Sequence, residues 1–385
     1  MDKVRIGIIG IGGMGSIHAS YLIKDEITQA ELTAVCDINP ERLKWAKENL
    51  GDKVQVFDNA EAFFASKVMD AVMIATPHYF HSPLAIRALE LGYHVMTEKP
   101  AGVYTRQVRE MNDAANKSDK VFGIMYNQRT NPLYQKVRDL VSSGELGEIK
   151  RTIWIITNWY RSQSYYDSGG WRATWAGEGG GVLLNQDPHQ LDLWQWMCGV
   201  PTRVRAFCAF GKYHNIEVED DVTAYVEYEN GATGLFVTST GETPGTNRFE
   251  ISANRGKLVI EDNKLTFWRL RVTERQFNAE YKGGFGEPEC WKCDVPIHGN
   301  ATDHKGITSN WVQAILKGTP LLAPGIEGIN GLQISNAMHL SAWTDAWVNI
   351  PVDEDLYYDT LQEKIKSSTF EKASAGKTLD VKGTF

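Results

Sequence analysis

The sequence predicts two domains of different rhythm. The first is a doubly wound, parallel α/β domain over residues 1–126, and the second an α+β domain with an open, mostly antiparallel sheet over 127–385. Three observations carry this. Short apolar runs alternate with helical patterns up to about residue 125. A glycine-rich turn joins the first apolar run to the first helical segment. Beyond residue 150, strands of period two replace that alternation.

The first apolar run, Val4–Ile9, leads into Gly10-x-Gly12-x-x-Gly15, and an amphipathic segment with His18, Tyr21 and Leu22 follows. Strand, glycine turn and helix start stand in the order a dinucleotide needs. Gly10 allows the tight turn, and Gly12 removes the Cβ that would block a pyrophosphate. Gly15 lets the helix lie close to the strand. The helix start, with Gly13 and Met14, offers free N–H groups to phosphate. Asp37 ends the next run, LTAVCD, 22 residues beyond Gly15, where a carboxylate accepts from a ribose 2′-OH. Ile38, which follows it, is expected among the cofactor-binding residues. A carboxylate there repels a 2′-phosphate, which predicts NAD; Arg42 keeps NADP as the lesser alternative. The runs VQVF, AVMIAT, HVMTE and VFGIMY continue the pattern, with helical segments at 40–50, 83–91 and 106–116. Thr76-Pro77-His78 closes the fourth run, and Glu98-Lys99-Pro100 closes the fifth. Turns at the carboxyl ends of such strands are where ligands bind in this architecture.

In the second domain the strand patterns are RTIWIITNW, RVRAFCAF, DVTAYVEYENGATGLFVTST and RFEISANRGKLVIEDNKLTFW. Glu229-Asn230-Gly231 and Asn254-Arg255-Gly256 supply hairpin turns. Helical patterns recur at 132–143, 189–198, 309–317 and 328–348. One face of the sheet is expected to cover its helices and the other to support a subunit interface. The tail from Pro351 is polar and is expected to wrap the surface.

Composition narrows the function. The 385 residues are 42% hydrophobic and 23% charged, with a formal charge of −8, which argues against nucleic acid or an anionic membrane as partner. No stretch has the length of a membrane span and no long apolar leader precedes the first strand, so a cytoplasmic protein is expected. Five cysteines, an odd number, fit a reducing compartment without a disulfide framework. Cys290 and Cys293 form a CxxC with His298 and His304 downstream, but the spacing matches no common zinc finger, and no metal is expected. Six of the twelve tryptophans fall between residues 154 and 196. Core packing accounts for most, with one or two rings facing a ligand such as a polyhydroxylated ring.

Two residues carry the chemistry. Lys99 lies at a carboxyl strand end beside the expected nicotinamide. The cationic ring of the oxidised cofactor depresses its pKa, so Lys99 can hydrogen-bond a substrate hydroxyl and polarise it. Downstream, Gly179-Gly180-Gly181 precedes Asn185-Gln186-Asp187-Pro188-His189. The glycines allow close backbone approach to a ligand. Pro188 suits the first helical position and Asp187 the cap before it. His189 then lies in the first turn, where the helix dipole keeps its imidazole neutral and available as a base.

Together the glycine fingerprint, Thr76-Pro77-His78-x-x-His81, Glu98-Lys99-Pro100 and the glycine run before His189 resemble the Gfo/Idh/MocA family of oxidoreductases. The resemblance runs from residue 3 to about 352. It implies an N-terminal Rossmann dinucleotide-binding domain, a nicotinamide cofactor, and a sugar, cyclitol or glycoside substrate. It implies catalytic roles for Lys99 and His189. It places Thr76, Pro77, His78, His81, Glu98 and Asn127 near the cofactor and Arg129 near nicotinamide or substrate. Many members have aspartate four residues before the histidine, where this chain has Asn185; an amide takes no proton, and Asn185 is expected to join Lys99 and His189 in the catalytic set by holding the substrate hydroxyl in register. Tyr166, Trp171, Arg172 and His304 are expected to line the substrate pocket. The expected activity is reversible hydride transfer from a ring secondary alcohol to NAD, in a homodimer or homotetramer. Two alternatives share the fold: an NAD-dependent glycosidase acting by oxidation and elimination, and a non-catalytic dinucleotide sensor.

Overall fold

The structure, a computed structural model, describes residues 2–372. The first domain runs β1 (Val4–Ile9), α1 (Gly13–Ile23), β2 (Ala30–Cys36), α2 (Pro40–Asn49), β3 (Gln55–Phe57), α3 (Ala60–Ala65), β4 (Ala71–Ile74), α4 (His81–Glu90), β5 (His94–Thr97), α5 (Thr105–Lys117) and β6 (Phe122–Ile124). Its six strands are parallel, in the order β3-β2-β1-β4-β5-β6. The central strands read as unbroken apolar runs because helices cover both faces; every residue of β4 is buried. The order reverses between β1 and β4, which opens a crevice at the carboxyl ends of the strands. Gly10, Thr76, Glu98-Lys99 and Asn127 follow β1, β4, β5 and β6 and therefore share that edge.

The chain continues through α6 (Pro132–Ser142), β7 (Ile149–Ile156), α7 (Gln163–Asp167), α8 (Val182–Asn185), α9 (Pro188–Cys198), β8 (Arg203–Phe210), β9 (Glu219–Glu227), β10 (Thr233–Ser239), β11 (Asn247–Ala253), β12 (Gly256–Glu261), β13 (Lys264–Leu270), α10 (Glu274–Glu280), β14 (Cys290–Asp294), α11 (Asp303–Lys317), α12 (Gly328–Thr344), β15 (Val348–Asn349) and α13 (Glu354–Ser367). A nine-stranded sheet follows the order β14-β13-β12-β11-β7-β10-β9-β8-β15, antiparallel except between β7 and β10. Period-two alternation sends Trp154, Phe236 and Phe249 inward, where Trp154 stacks on Phe249 at 4.5 Å and Trp194 of α9 stacks on Phe236 at 5.4 Å. Outward, Ile153, Leu235 and Tyr225 lie side by side across β7, β10 and β9.

Two elements from late in the sequence pack on the first domain. α11 lies against β1, and α12 against α5. Asn336 of α12 accepts from Thr105 N–H at 3.1 Å and donates to Val103 O at 3.0 Å. This satisfies the main chain of the loop that enters α5. The tail differs from expectation. After Pro351 the chain forms α13, capped by the Asp353 side chain, and buries Tyr357 and Leu361. Apolar residues at a spacing of four make one helical face, and the polar residues that dominate the composition occupy the other. Beyond α13, Lys372 donates to Arg172 O at 2.7 Å; the remainder of the predicted tail lies outside the described residues. Among the described residues no helix is long and apolar enough to cross a membrane.

Candidate active site

The glycine turn takes the form its sequence demands. Gly10 has φ +86°, and a Cβ on Gly15 would lie 1.8 Å from Gly10 O, so only glycine lets α1 start this close to β1. A Cβ on Gly12 would meet nothing within 4 Å, leaving open space over the helix start. Asp37 accepts from Ile11 N–H at 2.8 Å and Asn39 N–H at 2.8 Å, which holds its carboxylate at the lip of that space. Ile38 beside it is 87% exposed. Arg42 donates to Ile11 O at 2.6 Å and stacks over Trp45. On the far side, Asn127 is buried and its Oδ1 has no hydrogen-bond partner among the described residues. Open space over free helical N–H groups, an acidic lip and an orphaned buried acceptor fit a dinucleotide.

Two turns brace the crevice. The His81 imidazole lies between carbonyls, Nδ1 2.7 Å from Pro100 O and Nε2 2.7 Å from Thr76 O. It therefore ties the Thr76-Pro77 turn to the Glu98-Lys99-Pro100 turn rather than facing a cofactor with a free nitrogen. His78 Nδ1 lies 3.1 Å from Glu178 O, and its ring meets Trp171 edge-on at 5.3 Å. Trp171 thus closes over the carboxyl end of β4. Glu98 is buried, 2.7 Å from His18 Nε2. Burial acts to raise its pKa, but the His18 hydrogen bond and the positive potentials of His18, His304 and Lys99 outweigh this and hold it at about 2. His304 comes from α11 and stands edge-on to His18 at 5.6 Å, with its own pKa lowered to about 4 by burial. It belongs to the Glu98 cluster under Lys99.

The decisive contact joins the domains. Lys99 Nζ donates to the main-chain oxygen of Asn185 at 2.7 Å. Burial lowers the Lys99 pKa to about 8; Glu98 and Glu178 act to raise it, Arg172 and Arg161 to lower it. Asn185 ends α8, and four residues later His189 occupies the first turn of α9, after Pro188. His189 is buried, its Nδ1 has no hydrogen-bond partner among the described residues, and burial followed by the nearby Lys99 charge holds its pKa well below the usual value. The amine of the first domain therefore holds the turn that leads into His189, and its charge acts on that imidazole.

Several expectations are corrected. Arg129 does not face a substrate. It is fully buried, bonded in fork geometry to Asp192 at 2.6 and 2.8 Å, to Glu327 at 2.5 Å and to Leu322 O at 3.1 Å. Tyr166 points into the core, its hydroxyl 2.7 Å from Thr240 Oγ1. Its neighbour Tyr165 lines the site instead, accepting from Arg172 at 2.8 Å and Gln186 at 3.2 Å and donating to Asn185 Oδ1 at 3.3 Å. The glycine run packs against protein, not ligand: a Cβ on Gly181 would lie 2.0 Å from Glu219 O, and one on Gly179 2.2 Å from Val103. Asp187 occupies the cap position of α9, yet its carboxylate makes no capping bond and is buried. The start of α8, by contrast, is held by Glu219, which accepts from Gly181 and Leu183 N–H at 2.9 and 3.0 Å and pairs with His339 at 2.9 Å. Glu178, Tyr165 and Glu219 escaped the sequence reading; the acid directly before the glycine run was the one available signal. Cys290 and Cys293 lie on the edge strand β14, and no group of three or more His, Cys, Asp or Glu side chains among the described residues is placed to hold a metal ion.

A dinucleotide crevice whose rim brings together a buried amine and a neutral imidazole defines an NAD-dependent oxidoreductase. Comparison with known proteins gives the family. Residues 4–126 match the oxidoreductase family NAD-binding Rossmann fold, and residues 134–259 match the GFO/IDH/MocA C-terminal domain. The chain belongs to the Gfo/Idh/MocA oxidoreductase family. The D-glucoside 3-dehydrogenase of Escherichia coli (strain K12) is 31% identical over 256 residues, 62% of this chain and 70% of that protein. The inositol 2-dehydrogenase of Corynebacterium glutamicum (strain R) is 27% identical over 60% of this chain and 65% of its own length. Among solved structures, the WlbA dehydrogenase of Chromobactrium violaceum, in complex with NADH and UDP-GlcNAcA, superposes with a TM-score of 0.77 at 28% identity, covering 92% of this chain and 97% of that one.

Proposed function

We propose that the protein catalyses reversible oxidation of a ring secondary alcohol of a sugar, cyclitol or glycoside. When bound, NAD supplies the hydride acceptor. His189, neutral at physiological pH, takes the hydroxyl proton. The Lys99 ammonium keeps one hydrogen bond to Asn185 O and turns its remaining protons to the substrate oxygen, where they stabilise developing negative charge. The Tyr165-Arg172-Gln186 cluster and Trp171 form the polar and aromatic wall that a polyol recognises. The observation that carries this reading is the bond from Lys99 to the turn that presents His189. The names of the similar proteins support the substrate class: one is a D-glucoside 3-dehydrogenase and another an inositol 2-dehydrogenase. We also infer a cytoplasmic homo-oligomer that associates through the outer face of the nine-stranded sheet.

The test is a panel of inositols, aldoses and glycosides, each with NAD and NADP, followed by NADH absorbance. At least one ring polyol should reduce NAD, and Lys99→Met and His189→Asn should each slow it by about 10²–10⁴ while the dinucleotide still binds. Release of free aglycone without net NADH would point instead to glycosidic cleavage. Full activity in both variants would sink the assignment.

A further inference from the structure

Glu178 ends the loop before the glycine run and is 1% exposed. Its oxygens serve different partners. Oε1 accepts from the side-chain amide of Asn185, and Oε2 from Ala173 N–H at 2.5 Å. The Arg172 guanidinium lies 3.8 Å from Oε1. All three neighbours are donors, so they select the ionised carboxylate, although burial pushes its pKa above the usual range. The bond to Glu178 also settles which way the Asn185 amide is turned. Its nitrogen faces the acid, its Oδ1 faces the Tyr165 hydroxyl, and its main-chain oxygen holds the Lys99 amine.

We propose that Glu178 is a positioning residue for hydride transfer: acting through Asn185, it provides the negative charge that faces Lys99 from the second domain and fixes the orientation of the Asn185 amide. The inference rests on the hydride-transfer reading above and deepens it. Lys99 is surrounded by Glu98, Glu178, Arg161 and Arg172, by buried Asp187, and by the imidazoles of His78, His81, His189 and His304. Glu178 itself feels Arg172, Lys372 and the more distant Glu219. With the Glu178 charge gone, two guanidiniums would act on Lys99 with only Glu98 to oppose them, and the amine would lose its proton at lower pH.

The acid at 178 and the amide at 185 form one of two arrangements that satisfy the same bonds. In the reversed pair, Glu178→Gln with Asn185→Asp, the glutamine nitrogen donates to the new aspartate. Its oxygen accepts from Ala173 N–H, and Tyr165 keeps an acceptor. One negative charge remains. Asn185→Asp alone sets two carboxylates against each other, and they must share a proton. Glu178→Gln alone leaves no charge and asks one amide to serve two donors.

The experiment compares the NAD-loaded wild type, both single variants and the reversed pair. Lys99 is titrated by nitrogen NMR of its side chain, and the pH profile of kcat/KM is taken with the alcohol found in the panel. Melting temperature and NAD affinity serve as controls for folding. Glu178→Gln should increase the acid dissociation constant of Lys99 by about threefold or more, the scale of a nearby partly screened charge. Each single variant should lose about tenfold in kcat/KM at neutral pH, and the reversed pair should recover most of that loss. An unmoved Lys99 titration in Glu178→Gln overturns the proposal. A reversed pair no better than Asn185→Asp overturns it too, and that comparison stands even if Glu178→Gln does not fold. Absence of NAD reduction by any polyol in wild type would instead defeat the hydride-transfer reading, while the NMR titration would still decide whether Glu178 governs Lys99.

Discussion

Lys99 and His189 show how burial sorts two bases into two tasks. Both lose the water that would stabilise their charged forms, yet their starting pKa values differ. Lys99 comes down to about 8 and stays cationic at neutral pH, whereas His189 falls well below its usual value and stays neutral. The sign of the pH dependence follows. In the proposed reaction the ammonium is the active form of Lys99, so kcat/KM for alcohol oxidation should be flat from neutral pH upward and then fall through about 8. His189 should contribute no limb near its ordinary value. Lys99→Arg should move the alkaline limb out of the accessible range while lowering the rate; an unchanged limb would exclude Lys99 as its source. Lys99→Met should cost about 10²–10⁴ in kcat/KM, the usual contribution of a positioned acid or base. At the cofactor end, Asp37→Ala should weaken NAD binding without touching kcat at saturating NAD, because a carboxylate held beside the glycine turn is suited to the ribose of the adenosine and not to the reacting ring.

At the level of the element, one ion cluster ties three segments together. Arg129, in the turn after β6, reaches Asp192 on α9 and Glu327 just before α12. Burial opposes the guanidinium charge, and the two carboxylates more than restore it. Removing one partner strands a charge in the core. Asp192→Ala should therefore lower unfolding free energy by about 3–5 kcal/mol, measured by denaturant titration. The double change Arg129→Met with Asp192→Leu should cost less than that. Should Asp192→Ala alter KM for the alcohol while leaving stability intact, Arg129 would return to the substrate pocket. The residue was visible in the sequence after β6, but its partners lie 63 and 198 positions away, and no local pattern names them. Tyr165 and Tyr166 pose the same problem over one peptide bond. α7 is too short for its periodicity to say which ring turns inward.

At the scale of the molecule, the proposed reaction centre depends on helices of the second domain packing on the first. α12 and Asn336 lock the first domain's Val103–Thr105 loop to the second, and α13 caps the pair. On the outer face of the large sheet, among the described residues, Ile153 and Leu235 are half-buried and Tyr225 is exposed. Ile153, Leu235 and Tyr225 form a row across three strands, with Tyr225 beside Trp347 at 5.8 Å and Phe207 63% exposed nearby. Soluble monomers rarely leave so continuous an apolar row in water. Light scattering should give a mass of two or four chains, and Leu235→Glu with Tyr225→Lys should reduce it to one. A monomeric wild type would remove the inferred interface.

Local sequence by itself determined the dinucleotide crevice. A tight turn, a helix start and an acid at the end of the next strand are set by backbone sterics and short spacing, so Gly10, Gly12, Gly15 and Asp37 were legible as written. The βαβ rhythm and the hairpins were legible for the same reason. Only the tertiary structure decided which charges meet. It brought Glu178 onto Asn185 and Asn185 onto Lys99, gave Arg129 to Asp192, and set the glycine run against β9 rather than a ligand. Such pairings depend on where distant backbone segments come to rest, and the strength of each depends on burial that no single segment creates.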